Sequence, residues 1–116
     1  MKVDVRRYGE IPVLSPAGRV TIGAASVALK KALEAAIAGG ASHIIVDGSR
    51  VEYMDSSGIG ELIATARELA AKGGRVGISS PSAKFREILE VTKLHTLFVV
   101  GDDEPSVAAR LVSSER

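Results

Sequence analysis

The chain has 116 residues, enough for one domain with a sizeable core, and 46% of them are hydrophobic although only 3% are aromatic. The core must therefore be aliphatic, and the absence of Cys excludes disulfides, thiolate metal sites and cysteine nucleophiles. The formal net charge of +1 argues against nucleic acid as a direct partner, because a surface that follows phosphates needs a stronger basic bias.

The expected location is the cytoplasm. The chain starts with alternating residues and lacks the long apolar region of a signal peptide. Its most apolar segments are too short to span a bilayer, so we expect no membrane insertion. The lack of Cys also suits a reducing compartment.

The first elements are predicted to form a β-hairpin. Val3, Val5 and Tyr8 alternate as in a strand, and Ile11–Leu14 predicts a second strand after the turn at Gly9-Glu10. From Ala25 onward the apolar residues recur at helical spacing.

Helices and strands then alternate along the chain. Short apolar runs predict buried strands, and they lie at 43–47, 75–79 and 97–100. Apolar residues at helical spacing predict helices that begin near Ala25, Ile59, Ser80-Pro81 and Val107. Gly39-Gly40 and Gly73-Gly74 should end the first two helices, and Ser80 is expected to be the N-cap of the third helix, with Pro81 at its first position.

This order predicts an α/β fold with one mixed central sheet. The sheet should contain the N-terminal hairpin and then parallel strands joined by right-handed βαβαβ crossovers, with about four helices against it. We expect one domain at residues 1–112 and a flexible tail at 113–116. In such sheets, sites collect beyond the carboxyl ends of the strands, where helices begin.

The segment YMDSSGIG, residues 53–60, lies at a place of that kind. Its simplest interpretation is a helix cap, because Asp and Ser oxygens accept bonds from the unpaired N–H groups of a first helical turn. A cap needs one such residue, however, and here Asp55, Ser56 and Ser57 follow each other. Gly58 and Gly60 would also weaken the helix by about 1 kcal/mol each relative to Ala.

Catalysis fits this segment poorly. The Gly-x-Ser-x-Gly pattern of a nucleophilic serine is absent, and only His43 and His95 are available as imidazole bases. No His lies at metal-ligand spacing from the acids near the loop, and the phosphate-binding glycine patterns are missing. The sequence therefore predicts no catalytic residue, no metal and no cofactor.

A third interpretation is a phosphorylation switch. A phosphate on a serine at a helix N-terminus meets unpaired N–H groups and the positive end of the helix dipole, so the fold should tolerate it. The added charge would weaken a complex with an acidic partner surface. The physical properties of these residues alone do not decide between this interpretation and the simple cap.

Residues 51–78, VEYMDSSGIGELIATARELAAKGGRVGI, resemble the STAS superfamily, and within it the bacterial anti-anti-sigma factors, or anti-sigma factor antagonists. Their hallmark is Asp-Ser-(Ser/Thr)-Gly-(Leu/Ile)-Gly between a strand and a helix, and residues 55–60 match it at every position. The preceding Ile44–Asp47 resembles the family's strand that ends in Asp, and the order of elements also agrees.

The resemblance implies a regulator without catalytic activity. The unmodified domain would bind an anti-sigma factor that is itself a serine kinase of the histidine-kinase-like ATPase fold, and so free a sigma factor. Phosphorylation at Ser56 would abolish binding, and a metal-dependent serine phosphatase would restore it. Asp55 would help to position the hydroxyl or the kinase contact. The loop and the first helical turn, which form part of the docking face, would be shaped by Ser57, Gly58, Ile59 and Gly60.

Some positions depart from the family pattern. Many relatives carry Gly-x-Leu-Asp after the second strand, where the acid contributes to the partner surface; here the segment is Gly18-Arg19-Val20-Thr21, so Thr21 is the expected contact residue. Lys93 replaces the Gly of a Thr-Gly-Leu segment, and Gly48 stands where an apolar residue is commoner. These departures keep an alternative open, in which the chain is a non-switching STAS scaffold or a subunit of a stress-signalling or lipid-transport complex.

Overall fold

The computed structural model describes residues 3–113, which contain seven strands and four α-helices. The strands are β1 (Asp4–Tyr8), β2 (Ile11–Ser15), β3 (Gly18–Val20), β4 (Ile44–Asp47), β5 (Val51–Met54), β6 (Val76–Ser79) and β7 (Val99–Gly101). The helices are α1 (Ala24–Ala38), α2 (Ser56–Ala70), α3 (Ala83–Val91) and α4 (Glu104–Ser113).

The main sheet has the strand order β1-β2-β4-β6-β7. Strands β1 and β2 form the antiparallel hairpin, and β2, β4, β6 and β7 are parallel neighbours. The predicted mixed sheet, a hairpin followed by parallel strands with four helices, is therefore confirmed.

The two faces of this sheet are covered differently. Because side chains alternate along a strand, Ile44 and Val46 of β4 enter the core beneath α1, α2 and α3, whereas Ile45 enters a separate core beneath α4. Helix α4 therefore lies on the opposite face of the sheet from α2. The second core is formed by Val13, Ile45, Val99, Val107, Ala108 and Leu111.

A second, two-stranded sheet pairs β3 with β5 in parallel, and sequence analysis did not predict it. Val20 is the register partner of Met54, so the two strands end side by side. Strand β3 leads into α1 and β5 leads into α2. This small sheet therefore brings the loops that precede the two helices together.

The glycine pair at 39–40 ends α1 as predicted. Gly40 has a φ of 94°, its N–H donates to the carbonyl of Ile37 at 2.9 Å, and the N–H of Ala41 reaches the carbonyl of Ala36 at 3.2 Å. A residue with a side chain rarely adopts that φ, which explains the glycine.

The predicted start of the third helix was wrong by two residues. Ser82, not Ser80, is the N-cap of α3: its Oγ accepts a bond from the N–H of Phe85 at 3.2 Å and donates to the carbonyl of Val51 at 2.5 Å. Ser80 instead has a left-handed φ of 49°, and its Oγ donates to the carbonyl of Asp102 at 3.0 Å. Its own N–H pairs with Gly101, so the chain is still held by β7 at this point.

The C-terminal elements also differ in their bounds from the prediction. The last strand begins at Val99, not at Leu97, because residues Leu94–Thr96 form a 3-10 turn whose C-cap is Leu97. Helix α4 includes Ser113, the first residue of the predicted tail, and residues 114–116 lie outside the described part. Within residues 3–113, no helix is both long enough and apolar enough to cross a bilayer.

Candidate functional site

Asp55 lies between β5 and α2 and is the N-cap of that helix. Its Oδ1 accepts bonds from the backbone N–H groups of Ser57 at 2.9 Å and Gly58 at 3.2 Å. Its carbonyl accepts from the N–H of Ile59 at 3.0 Å. The cap is the simplest interpretation of the YMDSSGIG segment, and the extended backbone of Asp55 gives this residue the geometry that an N-cap requires.

The second carboxylate oxygen of Asp55 reaches a different element. Oδ2 accepts a bond from the backbone N–H of Ile22, in the loop between β3 and α1, at 2.9 Å. The backbone N–H of Asp55 also donates to the carbonyl of Val20 at 3.2 Å. One side chain therefore fixes both the start of α2 and the loop before α1.

These bonds lower the pKa of the Asp55 carboxyl below its ordinary value. The main cause is the hydrogen bond from the Ser57 hydroxyl, followed by the N–H of Ile22, and desolvation opposes them. Donors that face a carboxylate favour its charged form. Asp55 is therefore a fixed negative charge at neutral pH.

The two serines of the site have different environments. The Oγ of Ser57 donates to Oδ1 of Asp55 at 2.5 Å, and the residue is half-buried. Ser56 is exposed at the first position of α2, and its hydroxyl has no hydrogen-bond partner among residues 3–113. The accessible hydroxyl therefore belongs to Ser56, and the hydroxyl of Ser57 is held by the cap.

The two glycines of the site are both within α2, but only one is packed. A Cβ on Gly58 would lie 2.6 Å from Cγ of Met54 and 3.1 Å from Cγ1 of Val20, so the small sheet needs a glycine here. A Cβ on Gly60 would meet nothing within 4 Å. Between them Ile59 is buried in the main core, which fixes the orientation of this turn.

Thr21 and Ile22 lie beside this turn. Thr21 is half-buried, and its carbonyl accepts from the N–H of Ser26 at 3.3 Å. Thr21 was expected to contact a partner, whereas the sequence did not single out its neighbour Ile22, which is 81% exposed. The one available signal was a large apolar residue directly before Gly23, in a segment that precedes a helix.

The two histidines and Asp47 lie away from the Asp55 site and make hydrogen bonds of their own. His43 is buried and its Nδ1 accepts from the N–H of Arg75 at 3.0 Å, whereas His95 lies within 3.4 Å of the carbonyl of Leu89. The carboxylate of Asp47 accepts from the N–H of Ser49 at 3.0 Å and from Oγ of Ser15 at 3.3 Å, at the end of β4. Among the described residues, no group of His, Asp and Glu side chains is arranged to hold a metal ion.

A family model described as "Mlab, STAS domain" matches residues 3–101, which is most of the chain. The chain belongs to the STAS domain family. The match includes both strands of the small sheet, Asp55 and the whole of α2.

Solved structures with the same fold include proteins described as anti-sigma factor antagonists. A Thermotoga maritima protein proposed to be one has 20% identity and a TM-score of 0.85, over 95% of this chain and 94% of that chain. One from Mycobacterium paratuberculosis has 22% identity and a TM-score of 0.81, over 96% and 93%. The antagonist SpoIIAA in its unphosphorylated form has 24% identity and a TM-score of 0.71, over 96% and 97%. At these identities the likeness shows a shared fold.

Two departures from the family pattern have a structural account. A Cβ on Gly48 would lie 2.8 Å from Cδ2 of Phe85, so the ring of Phe85 occupies the space that a side chain at position 48 would need. Lys93 has a left-handed backbone with a φ of 60°, the region that favours glycine. The fold is therefore compatible with both departures.

Proposed function

We propose that this protein is an anti-sigma factor antagonist that phosphorylation switches off. In the unmodified form it binds an anti-sigma factor, a serine kinase of the histidine-kinase-like ATPase fold, and thereby releases a sigma factor. Phosphorylation of Ser56 ends that binding, and a metal-dependent serine phosphatase restores it. The domain acts by binding and has no catalytic role of its own, and we place this cycle in the cytoplasm.

The exposure of Ser56 is the observation that carries the proposal. Its hydroxyl has no hydrogen-bond partner among residues 3–113, whereas the hydroxyl of the neighbouring Ser57 donates to Asp55 at 2.5 Å. A kinase needs an accessible hydroxyl, and Ser56 offers one at the start of a helix whose first turn is fixed by the Asp55 cap. Asp55, Ser57, Gly58, Ile59 and Gly60 thus support the accepting residue, and Thr21 lies at the edge of the same surface.

A phosphate on Ser56 is compatible with the fold but not with an acidic partner surface. It lies at the N-terminus of α2, where the helix dipole favours negative charge. The charged carboxylate of Asp55 is adjacent and already accepts from the N–H groups of Ser57 and Gly58, but Ser56 is exposed, so that solvent screens the repulsion between the two charges. The phosphate adds a charge of about −1.5 to −2 at neutral pH. Opposite a partner carboxylate roughly 5 Å away, that charge costs about 1–5 kcal/mol, and the upper part of this range is enough to dissociate a micromolar complex.

Gly60 supports a docking surface on α2. An exposed glycine inside a helix lowers stability by about 0.5–1 kcal/mol relative to Ala, and no contact within the described chain requires it here. Gly60 lies one turn after Ser56, on the same exposed side of the helix. A partner backbone that approaches α2 closely at this point accounts for the missing side chain.

The test uses the anti-sigma kinase that copurifies with the tagged, unmodified protein from its native host. We expect Ser56→Ala to bind this kinase and to accept no phosphate from ATP, and Ser57→Ala to bind it and to be phosphorylated. Ser56→Asp should keep its circular dichroism spectrum and melting temperature while losing the kinase in calorimetric titrations. Equal binding by Ser56→Asp and the unmodified protein would refute the switch.

The alternative is a non-switching subunit of another assembly, such as a stress-signalling or lipid-transport complex. Two observations favour it: Thr21 stands where many antagonists carry an acid, and the matching family model is named for Mlab. In that case the copurifying partner would contain no kinase, and the affinity would be the same for Ser56→Asp and the unmodified protein.

A further inference from the structure

Ile22 is the most exposed large apolar side chain among residues 3–113, at 81%. The nearest comparable residue in the chain is Val27, which is 48% exposed in the first turns of α1. With Gly23 as N-cap, these two residues occupy the N′ and N4 positions, which pack against each other in a hydrophobic staple. Any such contact leaves most of Ile22 uncovered, so the fold itself gives no reason for an isoleucine here.

The backbone that carries Ile22 is fixed. Its N–H donates to Oδ2 of Asp55 at 2.9 Å, and Gly23 follows it with a φ of 113°, a conformation that residues with side chains rarely adopt. An anchor on a fixed backbone loses little conformational freedom when it binds, which is the condition under which apolar side chains contribute most to affinity.

Ile22 is also continuous with the proposed docking surface. Asp55 contacts it through one oxygen and caps the helix that begins with Ser56 through the other. The exposed residues along the first turns of α2 are small: Ser56, Gly60 and Ala64. A partner that covers these small residues would therefore also contact Ile22, which projects at the edge of the same surface.

We propose that Ile22 is the apolar anchor by which this protein is recognised, and that it inserts into an apolar pocket of the anti-sigma factor beside the groove that receives Ser56. The proposal rests on the proposed function and adds its specificity determinant. Because Thr21 is uncharged, the recognition at this loop relies on apolar burial, not on an ion pair. The contribution of Ile22 to binding is consequently insensitive to salt.

Photo-crosslinking in the native host separates the possibilities. A benzoylphenylalanine replaces Ile22, Ala64 on the exposed side of α2, or Val112 on α4, and the products are identified by mass spectrometry. We expect crosslinks from positions 22 and 64 to the same serine kinase and none from position 112, which lies on the opposite face of the sheet.

The other outcomes each contradict a definite claim. A kinase crosslink from position 64 without one from position 22 overturns the anchor and leaves the proposed function standing. Crosslinks to the kinase from neither position overturn both. Crosslinks from position 22 only to a second copy of this chain assign Ile22 to self-association and overturn the anchor as well.

Calorimetric titration with the free kinase, once crosslinking has identified it, then measures how much Ile22 contributes to the affinity. We expect Ile22→Ser to bind roughly 10- to 100-fold more weakly, the range for removing a buried aliphatic side chain, with the same ratio at low and high salt. Ile22→Leu should keep most of the affinity. Val112→Ser is the matched control, since Val112 is 54% exposed on α4, and it should bind as the unmodified protein does. An Ile22→Ser variant with unchanged affinity and an unchanged melting temperature would overturn the proposal.

Discussion

At the scale of single residues, Asp55 connects the fold to the site. Its Oδ1 satisfies the first N–H groups of α2, and its Oδ2 satisfies the N–H of Ile22 in a loop that is distant in sequence. The same carboxylate holds the hydroxyl of Ser57, which leaves Ser56 as the accessible serine. The proposal that Ser56 accepts the phosphate therefore depends on a hydrogen bond between its two neighbours, Asp55 and Ser57.

We expect Asp55→Asn to lower stability in a pH-dependent way. The pKa of Asp55 is depressed in the folded protein, mainly by the bond from the Ser57 hydroxyl. The charged carboxylate therefore stabilises the folded protein at every pH above 3.8, the ordinary pKa of this group. That contribution is lost as the pH falls below 3.8 through the lower folded value. Urea unfolding at about pH 7, 5 and 3 should give a higher free energy of unfolding for the wild type than for the variant, and this difference should narrow only at the lowest pH.

The comparison of the two proteins isolates Asp55, because other carboxyls such as Asp47 and Asp103 also have a depressed pKa and are shared by both. A difference that stays constant from neutral to acid pH would show that the charge of Asp55 does not stabilise the fold.

The two glycines of α2 form a matched pair with opposite expected effects. Gly58→Ala should lower the free energy of unfolding, since overpacking against Met54 and Val20 costs about 1–3 kcal/mol and exceeds the gain in helix propensity of about 1 kcal/mol. Gly60→Ala should raise it by about 0.5–1 kcal/mol, because the added methyl group meets no neighbour. Thermal unfolding of the two variants measures both effects.

The same pair separates stability from binding. We expect Gly60→Ala to be the more stable protein and yet to bind the kinase more weakly, since its methyl group stands where the partner approaches α2. Full affinity in Gly60→Ala would remove Gly60 from the docking surface.

The sequence allowed the local contacts of this site to be predicted, but not the contacts between residues distant in the chain. The cap by Asp55 joins residues two and three positions apart, so the pattern Asp-Ser-Ser-Gly was sufficient to indicate a cap, although not which of the three polar residues forms it. The bond from Ile22 spans 33 positions, and nothing near Ile22 in the sequence signals a partner at Asp55. The different environments of Ser56 and Ser57 likewise depend on the exposure of each side chain, which the pattern alone does not contain.

At the scale of elements, the prediction succeeded where a segment has a clear period. Helices α1 and α2 each have 15 residues with apolar residues at helical spacing, and the strands at 44–47 and 76–79 are short, buried and rich in Val and Ile. The small sheet of β3 and β5 was missed because its strands have three and four residues and pair only with each other, across a long stretch of chain. Strands β4 and β6 are equally short, but they are buried and rich in Val and Ile, whereas β3 and β5 contain the exposed charged residues Arg19 and Glu52.

Serines near a helix start were also ambiguous. Ser80 and Ser82 flank Pro81, and either pattern is typical of an N-cap. Ser82 takes the position because its hydroxyl also donates to Val51 of β5, a contact between elements 31 positions apart. Tertiary structure thus decided between two locally equivalent caps.

Helix α4 provides a prediction that separates the fold from the docking surface. Leu111 is fully buried in the core between α4 and the sheet, so Leu111→Ala should lower the free energy of unfolding by about 2–5 kcal/mol. Because α4 lies on the opposite face of the sheet from α2, the folded variant should keep the affinity of the wild type for the kinase.

Chemical unfolding measures the first effect, and titration well below the melting temperature measures the second. A large loss of affinity in the folded Leu111→Ala protein would place α4, or the sheet beneath it, in the interface.

At the scale of the whole molecule, the fold separates stability from switching. The sheet has one face beneath α1, α2 and α3 and another beneath α4, and both cores are aliphatic apart from two Phe side chains in the first. The proposed switch is at the exposed N-terminus of α2, where a phosphate disturbs no buried residue. A phosphate on this one hydroxyl would therefore change the proposed partner surface and leave both cores intact.

The most direct test of the central claim is the location of phosphate on the protein from its native host. Trypsin cuts after Arg50 and Arg67 and so produces the peptide of residues 51–67, which contains both serines. Fragmentation mass spectrometry of this peptide should place phosphate on Ser56 in part of the molecules and none on Ser57. A fully covered peptide without phosphate in every growth condition, or with phosphate on Ser57 alone, would contradict the account.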